Sequence, residues 1–499
     1  MAVSVYDPAS IISLRPIILL PILAIASGVF YVTYTVIYNL FFHPLRKFPG
    51  PKLWAIHYGF YACLELSGDG HRKMVPIHQK YGPVVRVGPD HLAFCHPDAQ
   101  QDLSGHKPGQ PENAKEVVRY MVNGSSLANA NQQDHTRMRK SMANGFSQQA
   151  MVDQRPLIQV HLDTLFDKFR EFSATGEKFD AVSWYMYTVF DIMGDLVFGE
   201  SFECLRESAY HPWVALIIGS LKNMAFEASF RRMSLLYKVL IMLTPKSILR
   251  QVKEHRELTA EKVRKRLSLD ADRKDIIASM AARKGKDALQ FHELCDNAAV
   301  LIIGGSETTA TALSAITYYL GLNPEPLKKL CHEVRSAFKS EEEIDFMSVG
   351  RLEYMLAVVN ESIRLHTPTP GTAPRTINER GETIAGYYIP PGTTIDIWYW
   401  TVFHYPEFWA QPDDFVPERW LGDPRFDNDQ RQVFTPFSVG PRGCIGKNLA
   451  LAEIRVIIAR LIWNYDFEVA EESNGWDRGC KSYLVFQKGP LYISLKARK

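Results

Sequence analysis

The chain has 499 residues, 46% of them hydrophobic and 22% charged, which is the composition of a globular protein and excludes extensive disorder. Its 57 lysines and arginines nearly balance its 55 aspartates and glutamates, so a formal net charge of +2 offers no basic surface for nucleic acid. The seven cysteines are an odd number, lie far apart and form no C-x-x-C pair, which argues against a disulfide framework and a zinc module.

An apolar run near the amino terminus extends from Pro16 to Phe42 and contains no Asp, Glu, Lys or Arg. It exceeds the length of about 20 residues that a helix needs to cross the core of a bilayer. A small-residue cleavage site of a secretory signal is conceivable at 24–26, but the apolar run continues well beyond it and no basic segment precedes it. The sequence therefore predicts a transmembrane anchor over residues 16–42.

The charges beside this run predict its orientation. Three basic residues follow it by position 52, whereas Arg15 alone precedes it. The positive-inside rule therefore makes residues 1–15 a short lumenal segment and places the rest of the chain in the cytosol. With that orientation, the glycosylation sequon at Asn123 is expected to remain unmodified.

The rest of the chain is mainly helical in pattern. Residues 43–55 are rich in proline, which fixes φ and disfavours helix in the preceding residue, so they predict a stiff connector. Strand patterns occur at 82–88 and in two short runs around the Pro-Pro-Gly turn within 387–397. Apolar residues recur at helical spacing over 156–173, 250–267, 291–321 and 351–366. These patterns predict one domain over residues 56–499, mainly α with a small β portion.

The segment FSVGPRGCIG at 437–446 precedes a helical pattern that starts at Lys447. Its glycines permit turns and close backbone approaches that residues with a Cβ resist. Cys444 would lie at the junction of this loop with a helix amino terminus, where free N–H groups and the helix dipole favour a thiolate, a good ligand for haem iron. The alternative is a buried structural cysteine, the usual state of an isolated Cys. The combination of Phe, Gly, Arg, Cys and Gly at these spacings argues against that alternative.

In this segment the chain resembles the cytochrome P450 family, whose haem-binding signature is F-x-x-G-x-R-x-C-x-G. The resemblance extends from about residue 45 to the end of the chain. It implies the cytochrome P450 fold and a haem b cofactor, with Cys444 as the axial ligand of the haem iron. It also implies that Phe437 packs beside this ligand and that Arg442 reaches a haem propionate.

A second motif places Glu361 and Arg364 three residues apart on a predicted helix, and therefore on one face. An exposed pair of this kind is worth only about 0.5 kcal/mol. The segment FVPERW at 415–420 resembles the Pro-Glu-Arg segment of the family. The resemblance implies that Glu361, Arg364 and Arg419 form a buried charged triad that holds the cysteine loop, and a half-paired network of this kind would cost several kcal/mol.

The segment GGSETT at 304–309 lies within the helix predicted over 291–321. Two adjacent glycines each lower helix propensity by about 1 kcal/mol, which favours a bend, and Thr308 can bond back to the carbonyl of Gly304. The alternative is a glycine-rich packing site between helices. The resemblance implies an oxygen-binding groove in which the Thr308 hydroxyl helps to deliver protons and Glu307 is the acidic relay to solvent.

Three further residues are implied as propionate contacts. The family usually has W-x-x-x-R early in the domain, and here His135 stands in place of the Trp, followed by Arg139 one helical turn later. An imidazole N–H can still donate to a carboxylate. Arg375, which follows Pro374, matches another propionate contact of the family.

Together these features resemble a membrane-anchored haem-thiolate monooxygenase that uses O2 and electrons from NADPH–cytochrome P450 reductase to oxidise a hydrophobic small molecule. The resemblance implies residence in the endoplasmic reticulum membrane, with the catalytic domain facing the cytosol, contacts to membrane lipid and none to nucleic acid. The chain resembles filamentous-fungal enzymes of secondary metabolism, especially those that oxidise terpenoids. By analogy, an apolar cavity is expected from residues 113–130, 213–230, 298–309, 369–377 and 480–487.

Two other functions remain open at this point. One is a haem-thiolate isomerase or dehydratase that uses no O2, and the other is a non-catalytic haem-binding sensor. Neither would need a proton relay, so the presence of both Glu307 and Thr308 argues against them.

Overall fold

The computed structural model describes residues 16–120, 124–269, 273–371 and 374–498. The predicted lumenal segment 1–15 and the sequon residue Asn123 lie outside these ranges. The protein is mainly helical with small β-sheets, as the sequence predicts. The α-helices are α1 Pro16–Ile37, α2 Lys52–Ile56, α3 Tyr58–Leu66, α4 Gly70–Tyr81, α5 Ala99–Ser104, α6 Val117–Tyr120, α7 Gln132–Met142, α8 Gln148–Thr175, α9 Ala181–Phe198, α10 Cys204–Glu207, α11 Pro212–Arg231, α12 Ser234–Met242, α13 Lys246–Ser268, α14 Ile276–Ala281, α15 Phe291–Leu322, α16 Pro324–Ala337, α17 Glu353–Leu365, α18 Tyr399–His404, α19 Lys447–Asn464 and α20 Trp476–Gly479.

The strands form four small sheets. They are β1 Val84–Gly88, β2 His91–Phe94, β3 Ala114–Lys115, β4 Phe179–Asp180, β5 Arg375–Thr376, β6 Glu382–Ile384, β7 Tyr387–Ile389, β8 Thr394–Ile397, β9 Tyr465–Val469, β10 Lys481–Ser482, β11 Phe486–Gln487 and β12 Tyr492–Ala497. The largest sheet has the order β1-β2-β8-β5-β3, in which β2 and β8 are parallel. The two strands predicted around the Pro-Pro-Gly turn exist, but they belong to different sheets: β7 pairs with β6, and β8 pairs with β2 and β5.

The amino-terminal apolar run is helical throughout its described part. α1 continues into a π-helical turn, Tyr38–Phe42, and the stretch Pro21–Phe42 is long and apolar enough to cross a membrane, with none of its most apolar window buried against the rest of the protein. The end of this helix is nevertheless attached to the domain. Asn39 Nδ2 donates to Ile56 O at 3.2 Å, and Arg86 Nη1 donates to Asn39 O at 2.7 Å.

The connector predicted over residues 43–55 is only partly extended. It contains a 3-10 turn, Pro44–Lys47, and most of α2 follows after Pro51. Pro44 is the first residue of its turn and Pro51 is the N-cap of α2, positions where a missing N–H costs little because the first N–H groups of a helix have no partner within it. The prolines therefore start short helical segments as well as stiffening the chain.

The long helix α15 runs through the centre of the core and packs mainly against α9, with further contacts to α13, α17 and α19. It begins with a capping box in which Gln290 and Glu293 satisfy each other's free backbone N–H groups. Its composition also meets the criteria for a membrane span, but 67% of its most apolar window is buried inside the protein. It is therefore a core helix.

The glycine pair in α15 does not interrupt the helix. The helix is continuous from Phe291 to Leu322. A Cβ at Gly305 would lie 2.7 Å from Met193 Sδ of α9, so this glycine permits close helix packing. A Cβ at Gly304 would meet no atom within 4 Å, and Gly304 lines a cavity. Packing on one side therefore compensates for the low propensity of the pair.

Candidate functional site

A cavity of about 450 Å³ lies between α15, α19 and the cysteine loop 437–446. Five of the residues singled out from the sequence line it: Thr308, Arg375, Phe437, Arg442 and Cys444. The other six, Glu307, His135, Arg139 and the three charged residues of the triad, are not among its lining residues. Four of the five predicted substrate stretches contribute to the lining, whereas no described residue of 213–230 does.

The cysteine loop is held by its own backbone. Cys444 N donates to Phe437 O at 2.8 Å, and Gly443 N closes a 3-10 turn onto Gly440 O at 3.0 Å. Gly440 has a φ of 73°, and a Cβ there would lie 2.0 Å from Ser104 O. Only glycine satisfies both conditions, so this position fixes the close approach of the loop to α5.

Cys444 lies directly before the amino terminus of α19, as expected. Burial raises the pKa of its thiol, while the backbone N–H groups of Gly446 and Lys447 and the charge of Arg139 act in the opposite direction. These three groups stabilise negative charge at the sulfur. The loop therefore presents a soft sulfur ligand to the cavity, and these N–H groups and Arg139 stabilise its thiolate form.

A second part of the cavity wall is strongly cationic. Arg375 and Arg442 lie here, together with Lys115 of β3, which the sequence reasoning missed because a single Lys in a short strand carries no pattern. Arg442 pairs with Glu112 and also donates to Ala130 O at 2.9 Å. Burial and the charges of Arg375 and Arg442 lower the pKa of Lys115 to about 7.

This cationic wall fits the carboxylates of a haem. Arg375 is 4% exposed, and its buried Nε has no hydrogen-bond partner among the described residues. Three cations, Arg375, Arg442 and Lys115, share the carboxylate of Glu112 in this part of the wall. Buried charges without partners are costly, so the wall requires additional negative charge.

His135 and Arg139 lie one turn apart on α7, as expected from their spacing. Arg139 Nη1 donates to Gly443 O at 2.6 Å, so the partner of this side chain is the cysteine loop. His135 is 4% exposed, and burial together with the charge of Arg442 lowers its pKa to about 3. The imidazole is therefore neutral near pH 7 and keeps one N–H to donate.

The triad residues are brought together and are fully buried. Arg364 donates twice to Glu361, with Nε to Oε2 and Nη2 to Oε1 both at 2.9 Å, and Arg419 Nε donates to Glu361 Oε1 at 2.9 Å. Two partners were missed by sequence reasoning: Trp420 Nε1 donates to Glu361 Oε2 at 3.0 Å, and Arg419 Nη1 donates to Asp429 at 2.5 Å. Burial opposes ionisation of Glu361, but the two arginines outweigh it and lower the pKa of this carboxyl.

Thr308 and Gly304 of α15 also line the cavity. Thr308 Oγ1 donates to Gly304 O at 2.7 Å, the back-bond expected from the sequence. Glu307, the residue expected to be the acidic relay to solvent, is buried beside a cation. It is 4% exposed and forms an ion pair with Lys488, whose Nζ also donates to Thr311 Oγ1 at 2.9 Å. Burial raises the pKa of Glu307, and Lys488 opposes this effect. No local pattern identifies Lys488, because it comes from the segment after β11.

Comparison with known proteins completes the description of the site. The chain matches the family model "Cytochrome P450" over residues 49–495. It is 44% identical over 485 residues to Trichothecene C-15 hydroxylase of Fusarium sporotrichioides, covering 96% of this chain and 99% of that protein. It is 40% identical over 477 residues to Trichothecene C-4 hydroxylase of Trichoderma arundinaceum (93% and 94% covered) and 39% identical over 472 residues to Averantin hydroxylase of Dothistroma septosporum (93% and 89%).

Proposed function

Because this chain belongs to the cytochrome P450 family, we propose that it hydroxylates a terpenoid secondary metabolite with O2 and electrons from NADPH–cytochrome P450 reductase. It is a haem b monooxygenase of the fungal secondary-metabolism type, which takes electrons from a redox partner and acts on a hydrophobic substrate. One observation carries the proposal: a single cavity is lined by Cys444 at a helix amino terminus and by Thr308 on α15.

The terpenoid class is supported by the likeness to fungal enzymes of secondary metabolism and by apolar side chains on the cavity wall, among them Leu301, Ile363 and Leu484. Metabolite profiling of a strain that lacks this enzyme tests the class directly. The proposal requires that a terpenoid with one oxygen fewer accumulates, and accumulation of a compound of another class would contradict it.

Five residues are proposed to hold the haem, whose iron supplies the centre at which O2 is activated. Cys444 would supply a thiolate ligand to the iron, and Phe437 would pack beside it. Arg375, Arg442 and Lys115 bind the propionates, which supply the negative charge that the cationic wall requires. We propose a supporting role for Arg139, whose bond to Gly443 O fixes the cysteine loop, and a propionate contact for the neutral His135.

Thr308 and Glu307 are proposed to supply protons to the reaction. The Thr308 hydroxyl lies on the cavity wall, and it would deliver its single proton by rotating from Gly304 O toward the cavity. On the far side of Glu307, the ammonium group of Lys488 donates hydrogen bonds to both Glu307 and Thr311 Oγ1. The relay is therefore proposed to run from the Lys488–Glu307 ion pair to Thr308, and to require a rearrangement of that pair.

Thr308→Ala is expected to bind haem and substrate normally and to consume NADPH, but to form at least about 10-fold less product per NADPH. A positioned proton donor typically contributes about 100-fold or more to a rate, and without it reduced oxygen leaves as hydrogen peroxide. The measurement compares NADPH, hydrogen peroxide and product in a reconstituted system.

Thr308→Ser, which retains the hydroxyl, is the matched control and should restore most of the product yield. Unchanged coupling in Thr308→Ala would remove Thr308 from the relay. Product formation that proceeds equally well without O2 would instead favour the isomerase or dehydratase alternative, and no NADPH turnover with reductase would favour the sensor.

We propose that the chain resides in the endoplasmic reticulum membrane, anchored by residues 16–42 and facing the cytosol with its catalytic domain. The exposed apolar surface of α1 supports lipid contact, since Phe30 is 73% exposed. A second apolar surface at the end of α12 adds to this support, where Met242 and Leu243 are 76% and 71% exposed.

Removal of residues 1–36 is expected to release most of the protein from membranes in alkaline carbonate while the haem spectrum stays unchanged. This deletion spares Asn39, which bonds to Ile56 and Arg86. Removal of residues 1–44 provides the comparison, and it should cost stability in addition because these bonds are lost. Full retention of both truncated forms on membranes would contradict the proposed anchor, and a glycosidase-sensitive mass shift abolished by Asn123→Gln would reverse the proposed orientation.

A further inference from the structure

Besides the cationic wall, a charged pair lines the cavity: Glu65 of α3 and Arg119 of α6. Arg119 Nη1 donates to Glu65 Oε1 at 2.5 Å, and the two side chains keep 16% and 10% of their surface exposed. Both residues line the cavity, so part of that exposed surface faces the space that a substrate would occupy. The apolar lining expected from the sequence is therefore incomplete, and this pair is a charged feature additional to the cationic wall.

Arg119 has donor capacity to spare, whereas Glu65 has little acceptor capacity left. Glu65 Oε2 accepts from Ser229 Oγ at 2.9 Å, so both of its oxygens already have a partner. A guanidinium carries five N–H donors, and within the described ranges the Arg119 side chain donates to Glu65 alone. The unused N–H groups of Arg119 are available to a ligand in the cavity.

The surrounding charges favour a neutral ligand group over an anion. Behind the pair, Arg232 lies 3.3 Å from Glu116, and Asp396 lies 2.7 Å from Tyr61 Oη. His91 Nε2 also lies 3.0 Å from Asp396 Oδ2. Every carboxylate of this cluster thus has a cation or a donor beside it, and Glu65 already neutralises Arg119. A substrate carboxylate would add an unmatched negative charge, which is costly where water is excluded.

We propose that Arg119 is a specificity-determining residue that donates a hydrogen bond to a neutral oxygen of the substrate, such as a carbonyl, ester, ether or hydroxyl oxygen. The inference rests on the proposed function, because it assumes that the substrate occupies this cavity. It deepens that function in one respect: the substrate is a hydrophobic molecule that already carries an oxygen atom. The reaction that supplies it must leave a C–O bond, which excludes a cyclisation that yields a pure hydrocarbon.

The test uses ligands whose binding does not depend on knowledge of the substrate. An N-alkylimidazole binds haem iron through its free nitrogen, and its alkyl chain lies in the substrate cavity. Three series of increasing chain length are compared on the holoenzyme by difference spectroscopy: a plain alkyl chain, the same chain ending in a methyl ketone, and the same chain ending in a carboxylate. At one chain length the ketone should bind at least about 10-fold more tightly than the plain alkyl chain. A hydrogen bond from a charged donor typically contributes enough free energy for that difference in affinity.

Arg119→Lys is the decisive variant, because it keeps a cation opposite Glu65 and removes the guanidinium fork. The ketone preference should fall about 10-fold in Arg119→Lys, while affinity for the plain alkyl series and haem content stay unchanged. Arg170→Lys, the same change at a side chain that is 71% exposed, should have no effect.

The proposal is overturned if no chain length favours the ketone, if the preference survives Arg119→Lys, or if the carboxylate series binds most tightly. Loss of haem from Arg119→Lys would also overturn it, because Arg119 would then belong to the propionate site. Failure of the proposed monooxygenation is distinguishable, since it would abolish product formation and leave these binding spectra intact.

Discussion

Cys444→Ala is expected to abolish both the red-shifted Soret band of the ferrous–CO complex and all monooxygenase activity. The band requires a thiolate ligand, and the electron density that this ligand donates favours cleavage of the O–O bond. In the structure, Cys444 is the cysteine that lines the cavity, at the amino terminus of α19. The measurement is the reduced CO difference spectrum of purified protein, with haem content determined in parallel.

Cys63→Ala serves as the control, since Cys63 is exposed and lies outside the cavity lining. It should leave spectrum and activity unchanged. Cys444→Ser covers the case in which the alanine variant loses its haem, because serine keeps a polar ligand at this position. Persistence of the red-shifted band in either Cys444 variant would show that another residue is the ligand, and the proposed site would be wrong.

Glu361→Gln is expected to destabilise the fold by about 3–5 kcal/mol and to lower the fraction of protein that contains haem. The substitution keeps the shape of the side chain but removes the charge between Arg364 and Arg419. Both guanidinium groups are fully buried, and Asp429 compensates only one of them. The free energy of unfolding and the haem content are measured side by side.

Glu353→Gln, an exposed position on the same helix α17, is the matched control and should cost less than about 1 kcal/mol. If Glu361→Gln behaves like this control, the buried network does not stabilise the haem domain. If stability falls but haem content per folded molecule does not, the network supports the fold without helping to retain the cofactor.

The parts of the site that residue patterns predict without the family resemblance share one property: their residues are close together along the chain. The cysteine loop 437–446 is contiguous, and Glu361 and Arg364 meet because helical geometry places residues three apart on one face. Lys115, Asp429 and Lys488 reach their partners only through the tertiary fold, and none of them stands in a periodic pattern. A single sequence carries no signal for such contacts.

The same distinction applies to the fold. Helices such as α8, α13 and α17 were predictable because apolar periodicity is a local property, and their ends differ from the predicted ones by one to eight residues. The pairing of β2 with β8 joins segments about 300 residues apart, so the strand pattern within 387–397 does not specify it. Gly305 shows the same limit: the reason for a glycine there, the close approach of Met193 on α9, lies more than 100 residues away along the chain.

The attachment of the amino-terminal helix has a consequence for how the enzyme meets its electron donor. Arg86 donates to Asn39 O and Asn39 donates to Ile56 O, so hydrogen bonds tie the helix end to the sheet and oppose free hinge motion between them. With residues 16–42 across a bilayer, as proposed, tumbling is restricted to rotation about the membrane normal. The distance from the bilayer surface to the side of the domain that carries the cysteine loop is then fixed. Encounter with a membrane-bound donor becomes a search in two dimensions, in which only partners of matching height can react.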